Sequence, residues 1–207
     1  MIKNVIFDIG NVIFNFDVSS VLASFTEDKE EEKFILDNVI NSPEWFQYGL
    51  IDIGYITWKE AVEIIKDRTN HVRDDLVEGF LKQHNEYGSV NSRVLDLIRK
   101  LKDNNYNVYL LSNIDSYTYD YIKTSGLFEL VDGYVLSYRE HKIKPYVGIY
   151  ETLIDRYNLE VDKCLFIDDR EKNVKTANEL GMLGKNVIPD NYDSIVRLLD
   201  EYNVNYK

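Results

Sequence analysis

The sequence predicts an α/β fold in which a mostly parallel sheet lies between layers of helices. Short apolar runs without clean alternation recur along the chain, as is typical of strands buried on both faces. Amphipathic helical patterns lie between these runs, and strands that alternate with helices indicate a parallel sheet. The 207 residues suffice for one core, or for a core that carries a smaller insert.

Four apolar runs are predicted to be strands, and a fifth run is weaker. In chain order they are NVIF (4–7), VYLL (108–111), the weaker GYVL (133–136), CLFI (164–167) and NVI (186–188). Two segments between them keep the i, i+3, i+4, i+7 spacing of one helix face. Their apolar positions are Val94, Leu97, Ile98 and Leu101 in the first segment, and Tyr150, Leu153, Ile154 and Tyr157 in the second.

The interval from 16 to 86 interrupts this alternation, because it has helical patterns and no convincing strand. An insert of this size directly after the first strand predicts a small helical cap. The remaining parts of the chain, 1–15 and 87–207, are then expected to form the core.

One stretch of the expected cap, PEWFQYGLIDIGYITW (43–58), is rich in aromatic residues and holds two glycines. Such a stretch can fold over a site and close it from water, as lids do. For each of Trp45, Phe46 and Trp58 we favour the simpler interpretation, which is packing inside the cap.

The composition excludes several classes of protein. A net charge of −12 argues against a nucleic-acid partner and against an anionic membrane surface. No apolar run approaches the ~18 residues of a membrane span, and the start of the chain is unlike a signal peptide. The single cysteine, Cys164, lies in an apolar run, so we interpret it as core packing in a reducing compartment. These features favour the cytoplasm but do not fix an oligomeric state.

Polar residues follow three of the predicted strands. Asp8 follows the first strand, Ser112 and Asn113 follow the second, and the pair Asp168–Asp169 follows CLFI. Because ligands of open parallel sheets bind outside the carboxyl ends of the strands, these residues are expected at one edge. Lys144 precedes Pro145, and proline favours the first turn of a helix, which places this lysine near the same edge.

Together these groups predict a metal and phosphate site. Carboxylates that repel one another are stabilised by a hard cation, and Mg²⁺ prefers carboxylates, water and phosphate oxygens. A lysine and a hydroxyl suit a phosphate by charge and by hydrogen bonding. A carboxylate fixed beside a metal-bound phosphate can attack phosphorus and form an aspartyl-phosphate, while nearby cations stabilise the transferring group.

The same residues resemble the four motifs of the haloacid dehalogenase (HAD) superfamily. Asp8 in VIFDIGNV, Ser112 in LLSN, Lys144 in IKP and Asp168–Asp169 in FIDDREKNV match those motifs in order, and FDxGNV resembles a branch that includes sugar-phosphate phosphatases. The resemblance implies a Rossmann-like core with a helical cap after the first motif. It also implies an Mg²⁺-dependent phosphatase that acts on a small phosphorylated substrate.

The resemblance further implies how the metal is held. Asp8 would be both the nucleophile and a metal ligand, and the backbone carbonyl of Gly10 would be a second ligand. Asp168 would bind Mg²⁺ directly, and Asp169 directly or through a water molecule.

The phosphoryl group would be bound by another set of residues. The resemblance implies that Ser112 and Asn113 bind it, and that Lys144 bridges the nucleophile and the phosphate as a catalytic residue. Asn173 matches the position that supports this lysine.

One position departs from the family pattern. Typical phosphatases of the superfamily carry an acid two residues after the nucleophile, where this chain has Gly10. General acid catalysis contributes ~10²–10⁴-fold, so its loss is serious. A good leaving group, such as an anomeric sugar phosphate or an acyl phosphate, is one explanation. A substitute acid is another, with Asp17, His71, His84 and His141 as candidates, and a different activity is the third.

Two other functions remain as alternatives. A haloacid dehalogenase needs no proton donor because halide leaves unprotonated, but it attacks carbon without a metal, and dehalogenases lack the acidic pair. A catalytically silent module that only binds a phosphorylated ligand is compatible with Gly10. The intact Asp8, Lys144 and Asp168 argue against it, since a binder needs no nucleophile. A phosphomutase is disfavoured because it needs the acid–base shuttle that Gly10 cannot supply.

Overall fold

The structure is a computed structural model, and it describes residues 1–47 and 49–207. Its centre is a five-stranded parallel sheet, which confirms the predicted fold class. The strands of this sheet are β1 (Asn4–Phe7), β4 (Asn107–Ser112), β5 (Gly133–Leu136), β6 (Cys164–Asp168) and β7 (Leu183–Asn186), and they lie in the order β5-β4-β1-β6-β7. A short antiparallel pair, β2 (Phe14–Asn15) and β3 (Ser89–Val90), lies outside it.

Eleven α-helices are assigned within the described residues. They are α1 (Val18–Phe25), α2 (Lys29–Ile35), α3 (Trp58–Arg68), α4 (Asp74–Gln83), α5 (Ser92–Asp103), α6 (Ser116–Ile122), α7 (Leu127–Leu130), α8 (Ser137–Glu140), α9 (Val147–Tyr157), α10 (Glu171–Glu179) and α11 (Tyr192–Glu201). Two π-helical turns follow α2, at Leu36–Ile40 and Pro43–Gln47. Side-chain caps fix several helix starts; Thr57 and Glu60, for example, form a reciprocal capping box at α3.

The sheet is buried on both faces, which explains why its strands do not alternate in polarity. One face packs against α5 and α11, whose apolar sides include Val94, Leu97, Ile195 and Leu199. The other face packs against α9 and α10, and Cys164 is fully buried there as core packing, as predicted.

The interval from 16 to 86 has an apolar cluster of its own. Helices α1 to α4 surround Ile35, Val39, Ile65, Val77 and Phe80, all fully buried. The chain enters this interval from β2 and leaves it at β3, so the antiparallel pair joins its two ends. We call residues 16–86 the helical segment; its action as a cap remains a prediction.

Two local predictions are wrong. The last strand is Leu183–Asn186 rather than 186–188, because its register pairs Asn186 with Asp168 at the end of β6. Pro145 does not lie in the first turn of a helix, since α9 begins at Val147. Across the described residues, no helix combines the length and apolar character that crossing a bilayer requires.

Candidate active site

Asp8 follows β1 at the carboxyl edge of the sheet and is only 6% exposed. Its backbone N–H donates to the carbonyl of Ile167 on the neighbouring strand at 2.9 Å. Its Oδ1 accepts hydrogen bonds from Ser112 Oγ and from the Ile9 backbone N–H, both at 2.7 Å. The Lys144 Nζ lies 2.8 Å from the same oxygen. Groups from three segments therefore fix the orientation of this carboxylate.

Lys144 connects Asp8 with a second buried carboxylate. Its Nζ donates to Asp168 Oδ2 at 2.7 Å, and both side chains are essentially inaccessible to water. Asn173 Nδ2 lies 3.0 Å from each oxygen of Asp168, and the Arg170 backbone N–H donates to Oδ1 at 2.8 Å. Asn173 was expected to support Lys144; in the structure it contacts Asp168 and reaches the lysine through this carboxylate.

The charges at this edge are not balanced. Burial raises the pKa of Asp8 to about 7; Lys144 opposes this shift, while Asp168 and Asp169 add to it. Burial alone would lower the pKa of Lys144, but the carboxylates of Asp168 and Asp8 outweigh it and raise that pKa. Burial and the adjacent Asp168 also raise the pKa of Asp169. Lys144 and Arg170 are the two cations beside these three carboxyl groups, so the site keeps excess negative charge when all three are ionised, which favours a further cation.

The acidic residues are placed to share such a cation. One carboxylate oxygen from each of Asp8, Asp168 and Asp169 lies within 4.8 Å of the other two. A set of oxygen ligands that leaves room for water and phosphate is the arrangement that Mg²⁺ prefers. The residues therefore fit the predicted magnesium ion, and the carbonyl of Gly10 as a further ligand remains a prediction.

The side chain of Asn113 positions Lys144 by two hydrogen bonds to the backbone of that lysine. Its Nδ2 donates to the carbonyl of Lys144 at 2.9 Å, and its Oδ1 accepts from the N–H of Lys144 at 2.8 Å. This pair of bonds joins the end of β4 to the loop before α9. Both polar ends of the Asn113 side chain are therefore bonded to this loop. The predicted contact of Asn113 with a phosphoryl group remains a prediction.

Gly10 lies beside open space. A Cβ added at this glycine would meet no heavy atom within 4 Å, and its φ is not in the left-handed region. Neither a close approach nor a special backbone angle therefore requires glycine here. The absence of an acid at this position has no steric cause in the structure.

Two cavities adjoin at this edge of the sheet. The inner cavity has about 70 Å³ and the outer cavity about 110 Å³. The inner cavity is lined by Asp8, Gly10, Asn11, Asn113, Lys144, Asp169, Arg170 and Asn173. Four of these residues, Gly10, Asn11, Asn113 and Arg170, also line the outer cavity. A group that extends from the inner cavity past these residues therefore enters the outer cavity.

Five aromatic side chains line the outer cavity, and four of them belong to the helical segment. They are Phe14, Phe16, Trp45, Phe46 and His84. Trp45 also belongs to the apolar cluster of the segment, as predicted. Phe46 is 43% exposed and lines the cavity, so its interpretation as a core residue is wrong. Trp58 packs against the cluster, and its Nε1 donates to Asp115 Oδ1 at 2.5 Å.

The four candidates for a substitute acid lie in different places. Asp17 caps α1 beside a different groove, and the hydrogen bonds it accepts there lower its pKa. His71 is exposed on the helical segment, and His141 is exposed and donates to the carbonyl of Ile53. Of the four, only His84 lines the outer cavity, and burial lowers its pKa, so it is neutral near pH 7.

Sequence reasoning missed three charged residues of the outer cavity, Asp52, Asp115 and Arg170. Burial, with Asp115 nearby, raises the pKa of Asp52 well above its usual value, against the effect of Arg170. Arg170 directly follows the acidic pair, and Asp52 lies between the glycines of the aromatic stretch; these were the available signals. His84 Nε2 and Asn85 Nδ2 are also buried there, without a hydrogen-bond partner among the described residues.

A Rossmann-like sheet that gathers a buried aspartate, a lysine and an acidic pair at its carboxyl edge defines a class of hydrolases. The family of haloacid dehalogenase-like hydrolases matches residues 2–181. The chain therefore belongs to this family, and the resemblance seen in its motifs is confirmed.

Individual relatives are more distant. The D-ribitol-5-phosphate phosphatase of Bacteroides thetaiotaomicron is 26% identical over 193 residues, which cover 87% of this chain and 89% of the relative. The sesquiterpene phosphatase astK of Aspergillus oryzae is 25% identical over 184 residues, 88% of each. The HAD family enzyme bt-2542 of Bacteroides thetaiotaomicron, solved in complex with magnesium and inorganic phosphate, superposes with a TM-score of 0.75. It is 24% identical, and the match covers 95% of this chain and 99% of that one.

Proposed function

We propose that this protein is an Mg²⁺-dependent phosphatase that hydrolyses a small phosphorylated metabolite through an aspartyl-phosphate on Asp8. One observation carries the proposal. The Asp8 carboxylate is buried and held by Ser112 Oγ and Lys144 Nζ, within 4.8 Å of two further carboxylates. A nucleophile, a phosphate-binding cation and a metal-binding acidic pair thus meet at one sheet edge.

Asp8, Ser112 and Lys144 have separate roles in the first step. Ser112 and Lys144 hold the carboxylate of Asp8, which attacks phosphorus and displaces the leaving group. The ammonium of Lys144, fixed between Asp8 and Asp168, stabilises negative charge on the phosphoryl oxygens. When bound to the acidic pair, Mg²⁺ neutralises further charge on the phosphate. Water then hydrolyses the acyl phosphate and restores Asp8.

The size of the substrate follows from the outer cavity. With about 110 Å³, it takes a group of a few heavy atoms more readily than a long chain. The helical segment supplies much of its wall, so this segment acts as the cap that selects the leaving group. The relative that is a D-ribitol-5-phosphate phosphatase supports a small phosphorylated substrate.

The same residues fit a dehalogenase or a silent binding module less well than they fit a phosphatase. Dehalogenation attacks carbon and has no use for Asp168 and Asp169 as metal ligands. A silent binding module needs neither the nucleophile nor the lysine that orients it. No contact in the site favours either function over phosphoryl transfer.

The test is phosphate release from a panel of phosphate monoesters, with Mg²⁺ and with a chelator. Wild type should release phosphate only with the metal, and Asp8→Asn should lose several orders of magnitude in turnover while it keeps its fold. Mass spectrometry after an acid quench should find one phosphoryl group on Asp8 in the wild type. Full activity in excess chelator, or an active Asp8→Asn variant, would refute the proposal.

A further inference from the structure

The missing acid at Gly10 leaves a chemical requirement unmet, if the proposed function holds. Breaking a phosphorus–oxygen bond to an alcohol leaves negative charge on the departing oxygen, and a proton donor there contributes ~10²–10⁴-fold. The donor must reach the space next to Gly10, where the leaving group enters the outer cavity. Asp52, Asp115 and His84 are the acid–base side chains that line this cavity among the described residues.

Two of these three side chains already form hydrogen bonds that leave them without a proton to donate to the leaving group. Asp115 accepts hydrogen bonds from the backbone N–H groups of Tyr117 and Thr118 at the start of α6, and from Trp58 Nε1. A carboxylate used in this way is an acceptor, not a proton donor. His84 is 1% exposed, is neutral, and donates its Nδ1 proton to a backbone carbonyl.

Asp52 differs from both. It is partly exposed, and no described residue forms a hydrogen bond with its carboxyl group. Burial in the cavity and the charge of Asp115 favour its protonated form and raise its pKa, while Arg170 opposes this shift. A carboxyl group whose raised pKa favours its protonated form, and which lines the cavity that would receive the leaving group, has the properties of a general acid.

The backbone around Asp52 is fixed to the core, and we call residues 49–56 the anchored loop. Ser137 Oγ donates to the carbonyl of Asp52, and His141 Nδ1 donates to the carbonyl of Ile53 at 3.0 Å. Gly54 packs so closely on Tyr138 that an added Cβ would lie 2.5 Å from its carbonyl oxygen. These contacts hold the loop over the edge of the sheet that carries the nucleophile.

We propose that Asp52 is the catalytic acid that protonates the leaving group in place of the side chain absent at Gly10. Asp8 attacks phosphorus, and the bond to the leaving oxygen breaks with its electron pair on that oxygen. Asp52 transfers its proton to this oxygen, directly or through one water, and an alcohol departs. The Asp52 carboxylate then takes a proton from the water that attacks the aspartyl-phosphate. Inorganic phosphate leaves, and Asp8 and Asp52 return to their initial states.

The experiment compares three substrates of similar size whose leaving groups become steadily poorer: 4-nitrophenyl, phenyl and benzyl phosphate. kcat and kcat/KM are measured with Mg²⁺ for wild type, Asp52→Asn and Asp67→Asn. The last variant is the matched control, because it makes the same Asp→Asn replacement at a side chain of the helical segment that is 78% exposed. Activity on 4-nitrophenyl phosphate also reports whether each variant is folded.

Asp52→Asn should lose about 10²-fold or more in kcat/KM with benzyl phosphate, because kcat/KM reports the steps up to the departure of the leaving group. It should lose less than about threefold in kcat/KM with 4-nitrophenyl phosphate, because nitrophenolate leaves without a proton. Any loss in the later hydrolysis of the aspartyl-phosphate affects kcat equally for the three substrates. Asp67→Asn should match the wild type on all three substrates.

Equal losses in kcat/KM on the three substrates, or no loss, would overturn the role of Asp52 and leave the proposed function intact. An Asp52→Ala variant repeats the comparison, so that a uniform loss caused by misfolding of one variant is recognised. A folded wild type that hydrolyses no phosphate monoester with Mg²⁺ would instead refute the proposed function, and this inference with it.

Discussion

Replacing Lys144 by methionine should reveal how strongly the apo site depends on one cation. The Nζ lies 2.8 Å from Asp8 and 2.7 Å from Asp168, and the lysine side chain is 1% exposed. Removing one partner of a buried ion pair costs about 3–5 kcal/mol, because the remaining charge stays buried. Unfolding entropy of ~2.1 cal/mol/K per residue gives about 0.43 kcal/mol/K for 207 residues. The melting temperature should therefore fall by about 7–12 °C.

The assay is thermal unfolding followed by circular dichroism in a chelator, near pH 8. Lys142→Met is the matched control, since Lys142 is exposed and bonds only Thr152 among the described residues; it should change stability by less than about 0.5 kcal/mol. Adding Mg²⁺ should raise the melting temperature of Lys144→Met more than that of wild type, because the ion supplies the missing positive charge. A Lys144→Met protein that melts within about 2 °C of wild type in the chelator would refute the reasoning.

The sign of the pH dependence follows from the pKa of Asp8. Burial already raises this pKa to about 7 with the lysine in place, and losing the lysine raises it further. A carboxyl group whose pKa is higher in the folded than in the unfolded protein binds more protons when folded, so lowering the pH stabilises the fold. The loss of folding stability in Lys144→Met relative to wild type should therefore be smaller at about pH 5.5 than at about pH 8.

Three further predictions concern the metal, Gly10 and Gly54. Phosphate release should vanish in a chelator and return with Mg²⁺ but not with Na⁺, measured as free phosphate. Gly10→Asp, whose new Cβ meets no atom within 4 Å, should fold, and adding it to Asp52→Asn should restore the hydrolysis of benzyl phosphate. A folded double variant that hydrolyses benzyl phosphate no faster than Asp52→Asn would contradict the idea that acids at positions 10 and 52 have the same role. Gly54→Ala should destabilise the protein by about 1–3 kcal/mol in a denaturant titration, because Gly54 has φ +73° and lies against Tyr138; an unchanged midpoint would contradict this.

Residues at strand ends were predictable because two rules act on them together. An apolar run fixes the strand, and the polar residue after it must lie at the carboxyl edge of a parallel sheet. Asp8, Ser112 and Asp168 were found in this way, and the structure brings them together with Lys144. The last strand was misplaced because Leu183–Asn186 has the sequence LGKN, which has only one apolar side chain and no run to detect.

Residues of the outer cavity were not predictable in the same way. Asp52 lies in a loop without periodicity, and its position depends on a hydrogen bond to Ser137, 85 residues further along the chain. Phe46 lies next to Trp45 and both line the outer cavity, yet Phe46 is 43% exposed and Trp45 is buried. Composition does not separate such neighbours, because exposure in a loop depends on packing between distant segments. Asn113 was identified by its position, but its bonds to the backbone of Lys144 required the structure.

The anchored loop bears on how new specificities arise in such an enzyme. It is fastened to the core through the carbonyls of Asp52 and Ile53 and through the bare backbone of Gly54. Contacts made by main-chain atoms persist when most of the loop's side chains are replaced. A replacement of the Asp52 side chain can thus change the lining of the outer cavity while the backbone of the loop stays fastened to the core.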